Sequence, residues 1–178
     1  FTWGIHPVFA VAAGYRIDHP GRDMLVGTAS DLSLGTEGGH YTWPLLPDTN
    51  ASAGRRDMRV VRGREAGVFG GHWATDLPDG WLALTDPAIR RGVAVVFPID
   101  VFPHAWLWQV YGGWRGHHHV ALEPWTSHPQ QLEAASAAGR ARLLEPGGIL
   151  DAMVQAIVYG GLEGVSRIER AGESISVK

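Results

Sequence analysis

The run Ala105-Trp106-Leu107-Trp108-Gln109-Val110-Tyr111 decides the fold class. Its side chains alternate, so that both tryptophans and Val110 share one face of an extended segment while Leu107 and Gln109 share the other. A repeat of two residues is typical of a β-strand, whereas an amphipathic helix repeats about every 3.6 residues. The run therefore predicts a strand.

Similar short segments lie on both sides of this run, and the 24 glycines and 11 prolines of the 178-residue chain separate them. Val93–Phe97 is continuously apolar, as expected for a strand that is buried on both faces. This spacing is typical of an all-β sandwich or barrel, and we expect one antiparallel domain over residues 1–178. The predicted strands are Trp3–Val11, Met58–Arg62, Gly67–Trp73, Trp81–Thr85, Gly92–Pro98, Ala105–Tyr111 and His119–Glu123.

Three segments depart from the strand pattern. Ser127-His128-Pro129-Gln130 resembles a capping box, so we expect a short helix that runs to Ala138 and ends at Gly139. The apolar spacing of Ile149–Tyr159 slightly favours a helix, although the flanking glycines fit a strand equally well. Thr28–Arg56 has no clear period, and we interpret it as a long loop.

Composition narrows the class of protein. Apolar residues make up 45% of the chain, charged residues 19%, and the net charge is −3 with scattered basic residues, so we expect a globular protein without a nucleic-acid partner. The absence of cysteine excludes disulfides and thiolate nucleophiles and fits a reducing compartment, so we expect a cytoplasmic protein. The apolar runs are too short to cross a bilayer, and no signal peptide opens the chain.

Two segments carry candidate catalytic groups. In His119-Val120-Ala121-Leu122-Glu123-Pro124-Trp125-Thr126, a strand-like run ends at one carboxylate beside a tryptophan, which suits a general base in a sugar site. Trp3-Gly4-Ile5-His6-Pro7-Val8-Phe9 supplies His6 as a matching acid. In the alternative interpretation, Glu123 forms an ordinary salt bridge at a strand end and His6 caps a bend.

These two segments resemble the aldose 1-epimerase (galactose mutarotase-like) family. The first resembles the strand that carries the family's catalytic glutamate, and the second resembles its histidine-containing strand. Other segments resemble a divergent bacterial branch, and together the match covers the C-terminal part of the family's domain. These segments are Asp79–Pro87, Phe102–Gly113, Leu144–Gly148 and Val158–Val165.

The resemblance implies a galactose mutarotase-like β-supersandwich, truncated at its N-terminus, with one short helix. Full members of the family are longer, and their N-terminal half supplies an arginine and another histidine to the sugar pocket. The chain opens on Phe1-Thr2-Trp3-Gly4-Ile5 rather than on a frayed polar end, so we expect it to begin inside a larger domain. A truncated sandwich would expose strand edges, and we expect self-association through them.

The resemblance also implies an isomerase that interconverts the anomers of a free aldose without a metal or an organic cofactor. Glu123 takes the place of the base and His6 that of the acid. We expect the two side chains to face each other across a pocket about as wide as a pyranose ring, too far apart to bond. The side chains expected to contact the sugar are Asp76, Trp73, Trp108, Gln109, His119 and Trp125.

Several alternatives remain open at this point. Asp76 precedes Pro78-Asp79-Gly80 and could simply form a turn. The chain could be a carbohydrate-binding module of the same fold that lacks catalysis. An epimerase for phosphorylated sugars would need a cationic pocket, for which the candidates are Arg90, Arg91 and Arg115.

The triplet His117-His118-His119 raises a metal hypothesis, because His117 and His119 would share one face of a strand. A third ligand is not evident from the sequence, and the spacing is not a recognised motif. We therefore favour an exposed loop leading into the Glu123 strand and predict no metal site.

Overall fold

A computed structural model describes residues 1–48, 54–172 and 174–178 of the chain. Most of the regular secondary structure in the described chain is antiparallel β-strand, and two sheets contain most of these strands. The larger sheet contains, in spatial order, β1 (Val8–Ala10), β11 (His118–Trp125), β10 (His104–Tyr111), β7 (Val68–Ala74), β3 (Asp23–Ala29) and β4 (His40–Thr42). The smaller sheet contains β12 (Gln155–Gly160), β9 (Arg91–Val96), β8 (Trp81–Asp86) and β2 (Arg16–Asp18).

Short elements complete the described fold. Two-stranded hairpins are formed by β5 (Leu45–Pro47) with β6 (Arg55–Asp57) and by β13 (Ile168–Ala171) with β14 (Ser174–Val177). The helical elements are α1 (Leu132–Ala137) and the 3-10 turns Leu32–Leu34 and Arg64–Ala66. Within the described ranges, no helix has the length and apolar character needed to cross a bilayer.

The hydrophobic core lies between the two sheets. Leu107 and Leu122 of the larger sheet pack in one cluster with Leu82 and Val95 of the smaller sheet. The outer face of the smaller sheet is covered by a second cluster, which includes Trp81 and Ile168. The structure therefore confirms the all-β sandwich with one short helix.

The core also confirms the prediction for Val93–Phe97. Val95 belongs to the cluster between the sheets, whereas Ala94 and Val96 belong to the cluster on the outer face. Both faces of β9 are thus covered by apolar side chains, which explains why its sequence is continuously apolar rather than alternating.

Five of the predicted strands, from Gly67–Trp73 to His119–Glu123, are confirmed to within two residues at each end. Trp3–Val11 contributes only the three residues of β1. Met58–Arg62 is not a strand and makes only the bridge between Val60 and Arg16. The predicted loop Thr28–Arg56 was wrong: in its described part it contains the end of β3, all of β4 and β5, and the start of β6. Strands of three residues are too short to show a period.

The two helix predictions need correction. Helix α1 begins at Leu132 rather than after Ser127, and its N-cap residue Gln131 makes no side-chain cap. The left-handed φ of +67° at Gly139 confirms the predicted stop. The end of the ambiguous segment Ile149–Tyr159 forms strand β12, because its backbone pairs with strand β9. The slight preference for a helix there was wrong.

A buried histidine lies between β2 and β3. His19 is almost fully buried, and its ring packs 4.1 Å from that of Trp43, measured between centroids. Neither ring nitrogen has a hydrogen-bond partner among the described residues. Burial lowers the pKa of His19 from 6.5 to about 3, because a charged imidazole in this site would lose its hydration without gaining a partner.

His19 should therefore make the fold acid-sensitive. Below pH 6.5 the unfolded chain binds a proton that the folded chain excludes until about pH 3. The free energy of unfolding should fall by about 1.4 kcal/mol per pH unit for one such group. Urea unfolding between pH 7 and pH 4 should show a shallower pH dependence for His19→Leu than for the native chain. The exposed control His40→Leu should keep the native slope, and equal slopes for the native chain and His19→Leu would contradict the assignment.

Candidate active site

Strand register places His6 directly beside Glu123. Val8 pairs with Ala121 and Gly4 bridges to Trp125, so the residue midway between them on the N-terminal segment falls opposite Glu123. Side chains that are opposed in this way have Cβ atoms about 4.5–5.5 Å apart. The His6 Nδ1 atom accordingly lies 2.6 Å from Glu123 Oε1.

This contact corrects the expected separation of the pair. The structure brings His6 and Glu123 together on one face of the sheet, as the hypothesis requires, but they are in contact rather than a ring's width apart. The physical reason is that the two segments are adjacent strands, about 4.8 Å apart, and not opposite walls of a cleft.

The Glu123 carboxylate is held differently at its two oxygens. Its side chain is only 2% exposed, and Oε2 accepts a hydrogen bond of 3.1 Å from the indole N–H of Trp125. Oε1 lies 2.6 Å from His6 Nδ1, and no other described residue donates to that oxygen. Oε1 therefore retains the capacity to accept a proton or a hydrogen bond from a ligand.

Burial raises the pKa of Glu123, because the charged form loses hydration. The neighbouring His6 and the Trp125 N–H oppose this effect, since both stabilise the carboxylate. The His6 side chain is 58% exposed, so one member of the pair is buried and the other is open to solvent. The pair can therefore exchange protons with a ligand and with water.

Tryptophans form the floor beside this pair. Trp106 of β10 pairs with Glu123 on one side and with Trp73 of β7 on the other, so the three side chains form a row across the sheet. The rings of Trp106 and Trp108 are nearly parallel, with an interplanar angle of 13° and centroids 6.4 Å apart. Apolar ring faces of this kind suit the C–H faces of a sugar.

Glycines allow these indoles to lie flat on the neighbouring backbone. A Cβ atom at Gly71 would lie 1.8 Å from the Trp106 ring, and one at Gly27 would lie 2.4 Å from it. In the same way, a Cβ at Gly4 would lie 2.3 Å from the Trp125 ring. A side chain at any of these positions would displace the floor of the site.

The resulting cleft has a volume of about 360 Å³. It combines aromatic faces, one buried carboxylate and one exposed imidazole with the hydroxyl of Thr28 and the amide of Gln130. Such a mixture of apolar surface and a few polar groups is typical of small-ligand sites. Its lining residues are His6, Thr28, Trp106, Trp108, Glu123, Trp125 and Gln130.

The cleft continues along the sheet as a groove. Thr28, Trp106 and Gln130 also line a second cavity of about 410 Å³, which reaches Trp73 and His128. His128 in turn borders a third cavity of about 470 Å³, which is lined by Thr75, Asp76, His104 and Arg140 among others. The whole groove is thus longer than the Glu123 cleft alone.

The residues that were predicted to contact a sugar lie in different parts of the groove or outside it. Trp108 and Trp125 line the Glu123 cleft, and Trp73 lines the adjoining cavity. Asp76 lies in the third cavity, at the far end of the groove, and does not line the cleft. His119 shares the strand face of Glu123 but lies four residues earlier, about 13 Å along the strand.

The expectation for Gln109 was wrong. Gln109 alternates with Trp108 on β10 and therefore faces the opposite side of the sheet, where it is 1% exposed and accepts a hydrogen bond of 2.7 Å from the Tyr111 hydroxyl. Because neighbouring strand residues point to opposite faces, the two residues could not both contact one ligand.

Three residues of the cleft, Trp106, Thr28 and Gln130, were not predicted to contact a ligand. Trp106 could have been found from the sequence, because it shares one strand face with Trp108. Thr28 was assigned to a loop, and Gln130 was assigned to a helix cap. Neither position carries a sequence pattern that would place it beside Glu123, because both reach the cleft only through the packing of the β3 strand and the segment that follows β11.

The histidine triplet does not form a metal site in the described structure. The rings of His117 and His119 lie 5.8 Å apart, measured between centroids. The described residues contain no group of three or more histidine, cysteine, aspartate or glutamate side chains that could hold a metal ion. His118 is engaged elsewhere, since its Nε2 atom contacts the Arg62 carbonyl at 2.8 Å.

No family model and no curated protein matches the sequence. Solved structures do resemble the fold. The Slr1438 protein of Synechocystis sp. PCC 6803 has a TM-score of 0.62 at 20% identity, and the match covers 90% of this chain and 45% of that chain. A protein of Klebsiella pneumoniae subsp. pneumoniae, provisionally assigned as an aldose 1-epimerase, has a TM-score of 0.58 at 13% identity, with 89% and 38% covered.

The chain thus spans less than half the length of either neighbour. At these identities the likeness concerns the path of the backbone and not the chemistry of the site. The chain therefore shares the fold of the part of each structure that it matches.

Proposed function

We propose that the Glu123 cleft catalyses the interconversion of the anomers of a free aldose. The observation that carries this proposal is the buried Glu123 carboxylate, whose Oε1 atom lies 2.6 Å from the exposed imidazole of His6. The tryptophan floor, the resemblance of the His6 and Glu123 segments to aldose 1-epimerases and the fold support it.

In this reaction Glu123 takes the proton from the hydroxyl at C1, and His6 donates a proton to the ring oxygen. The bond between C1 and the ring oxygen breaks, the C1–C2 bond rotates, and the ring closes on the other face with the proton transfers reversed. The C1 hydroxyl oxygen and the ring oxygen are bonded to the same carbon. Two catalytic groups that lie side by side can therefore reach both oxygens.

The electrostatics of the site fit these roles. Burial raises the pKa of Glu123 and so makes its carboxylate a stronger base than an exposed glutamate. Contact with His6 and the Trp125 N–H lowers the pKa of Glu123 again in part, because both favour the ionised carboxylate. Transfer of a proton from sugar to Glu123 and from His6 to sugar leaves the net charge of the pair unchanged.

The second candidate is a carbohydrate-binding module that lacks catalysis. The observation that favours it is the His6–Glu123 contact itself, because the imidazole occupies space beside Oε1 that the sugar hydroxyl must reach. In the catalytic proposal the exposed His6 ring turns aside when a sugar enters. In the alternative the contact persists and the tryptophans alone hold the sugar.

Replacing either member of the pair should separate these functions. Glu123→Gln removes the base and His6→Asn removes the acid, so each should slow the mutarotation of a reactive aldose by about 10²–10⁴-fold. Polarimetry of freshly dissolved α-anomers, tested over several aldoses, provides the measurement. Glu163→Gln and His117→Asn are matched controls at exposed positions and should retain the native rate.

Two outcomes would contradict the catalytic proposal. A rate that survives in both Glu123→Gln and His6→Asn would place the chemistry elsewhere. Saturable sugar binding by the native chain in calorimetry, without any acceleration of mutarotation, would select the binding module instead.

The raised pKa of Glu123 also sets a pH dependence. The base must be ionised, so kcat/KM should rise with pH through the pKa of Glu123, above the range of an exposed glutamate. Trp125→Phe removes the N–H that stabilises the carboxylate, so this rise should move to still higher pH. The pH profile of kcat/KM checks the shift, and a carboxyl ¹³C NMR titration checks it without turnover.

Trp114→Phe is the control for this experiment, because Trp114 lies in the exposed turn before β11. It should leave the profile unchanged. A Trp125→Phe profile that is unmoved, or that shifts to lower pH, would show that the indole N–H does not stabilise the Glu123 carboxylate.

A further inference from the structure

A separate cavity, which is not part of the groove described above, lies on the other face of the larger sheet, away from the Glu123 cleft. Its volume is about 310 Å³, and it forms between β10 and the segment that runs from β6 to Arg62. Apolar side chains make up about half of its lining, and the rest is dominated by arginines. The lining residues are Leu34, Arg55, Arg56, Asp57, Met58, Val60, Val61, Arg62, Gln109 and Tyr111.

The amide of Gln109 is the most unusual group in this lining. Its Oε1 atom accepts a hydrogen bond from the Tyr111 hydroxyl, which fixes the orientation of the amide. Its Nε2 atom is buried and has no acceptor anywhere in the described parts of the chain. Buried N–H groups are nearly always paired, and leaving one without an acceptor is unfavourable. The amide would therefore gain from a ligand that supplies an acceptor oxygen.

Arg62 supplies positive charge to the same cavity. It is half-buried, and its guanidinium donates a hydrogen bond of 2.7 Å to the Ser33 hydroxyl. That is the one hydrogen bond recorded for this guanidinium within residues 1–48, 54–172 and 174–178, so further N–H donors remain. Burial and the nearby Arg56 lower the pKa of Arg62, because both disfavour the charged guanidinium. An anion beside Arg62 would oppose both effects by stabilising that charge.

Asp31 and Asp48 act on the charge of Arg62 from a distance, but no described carboxylate forms a salt bridge with it. Asp48 pairs with Arg56 at 2.5 Å, and Asp57 pairs with Arg59 at 2.5 Å. Asp31 accepts a hydrogen bond of 2.8 Å from the Ser33 backbone N–H. Two of the three arginines that line the cavity, Arg55 and Arg62, are thus left without a salt bridge to a described carboxylate.

We propose that this cavity binds the anionic group of a small ligand, a phosphoryl or a carboxylate group. The guanidinium of Arg62 and the Nε2 atom of Gln109 would both donate to its oxygens, and the apolar residues would cover the rest of the ligand. A planar guanidinium with several donors is well suited to such oxyanions.

This site is distinct from the proposed catalytic cleft. Gln109 and Trp108 alternate on β10, so the sheet itself separates the cavity from Glu123. A single small ligand could not contact both. The arginines named from the sequence as phosphate candidates lie elsewhere, since Arg90 donates to the Gly161 carbonyl and Arg115 lies over Trp114.

Titration with simple anions tests the proposal. Inorganic phosphate and acetate should each be added to the native chain by calorimetry, with sodium chloride adjusted to keep the ionic strength constant. We expect saturable binding of at least one of them, and the tighter one identifies the group as phosphoryl or carboxylate. Arg62→Met and Gln109→Glu should each weaken that binding by at least tenfold.

Matched variants control for charge and folding. Arg22→Met makes the same change as Arg62→Met at an exposed position outside the cavity and should bind the anion like the native chain. Gln109→Glu keeps an acceptor for the Tyr111 hydroxyl but places a carboxylate where the amide donor was. Thermal unfolding without added anion establishes that each variant is folded.

The proposal is overturned if neither anion binds saturably, or if folded Arg62→Met and Gln109→Glu bind as tightly as the native chain. Should either variant fail to fold, NMR of the native chain decides the question. The side-chain amide signal of Gln109 and a guanidinium signal of Arg62 should shift together on addition of the bound anion. Signals that do not move over the titration would exclude the site.

Discussion

Pairing of the N-terminal segment with β11 is the constraint on which the candidate active site depends. Trp3 and Ile5 make backbone hydrogen bonds with Thr126 and Pro124, and Thr126 also accepts one through its hydroxyl. An antiparallel strand residue directs its N–H and its C=O to the same side. The missing N–H of Pro124 therefore faces the N-terminal segment, and the pairing of β11 with β10 remains intact. Proline is tolerated there without any loss to the central sheet.

The larger sheet separates two kinds of chemistry by the simple alternation of its side chains. One face presents tryptophans with a single buried carboxylate, which suits a neutral ring that bears hydroxyls. The other face of the same β10 strand carries Leu107 into the core and Gln109 to the edge of an arginine-lined cavity. In our two proposals, neighbouring residues of one strand thus serve a neutral ligand on one side and a charged ligand on the other.

Local pattern was sufficient for the fold class and for most of the central strands. The alternation of Ala105–Tyr111 and the continuous apolar character of Val93–Phe97 both reflect burial, which a sequence records directly. The strands of three residues and the late start of α1 were missed, because a segment of so few residues is too short to show a period. A helix was slightly favoured over a strand at β12 because the pairing of β12 with β9 is a tertiary contact that periodicity does not record.

The site likewise combines features that the local sequence records with features that only tertiary contacts determine. Glu123 and His6 were singled out by their surroundings in the sequence, but their separation depends on a register between strands more than 100 residues apart. Asp76 follows the end of β7 and lies at the far end of the groove, while Thr28 and Gln130 reach the cleft from segments that show no chemical motif. Alternation alone could have excluded Gln109 once Trp108 was assigned to the ligand face.

The glycines beneath the indoles limit how this cleft can change. Trp106 rests on the bare backbone of two neighbouring strands at Gly27 and Gly71, so its ring plane follows the twist of the sheet rather than the size of adjacent side chains. Substitutions beneath it are excluded by space, whereas Thr28 and Gln130 border the cleft from the side. A change of ligand preference is therefore easier to accommodate at the rim of the cleft than beneath its platform.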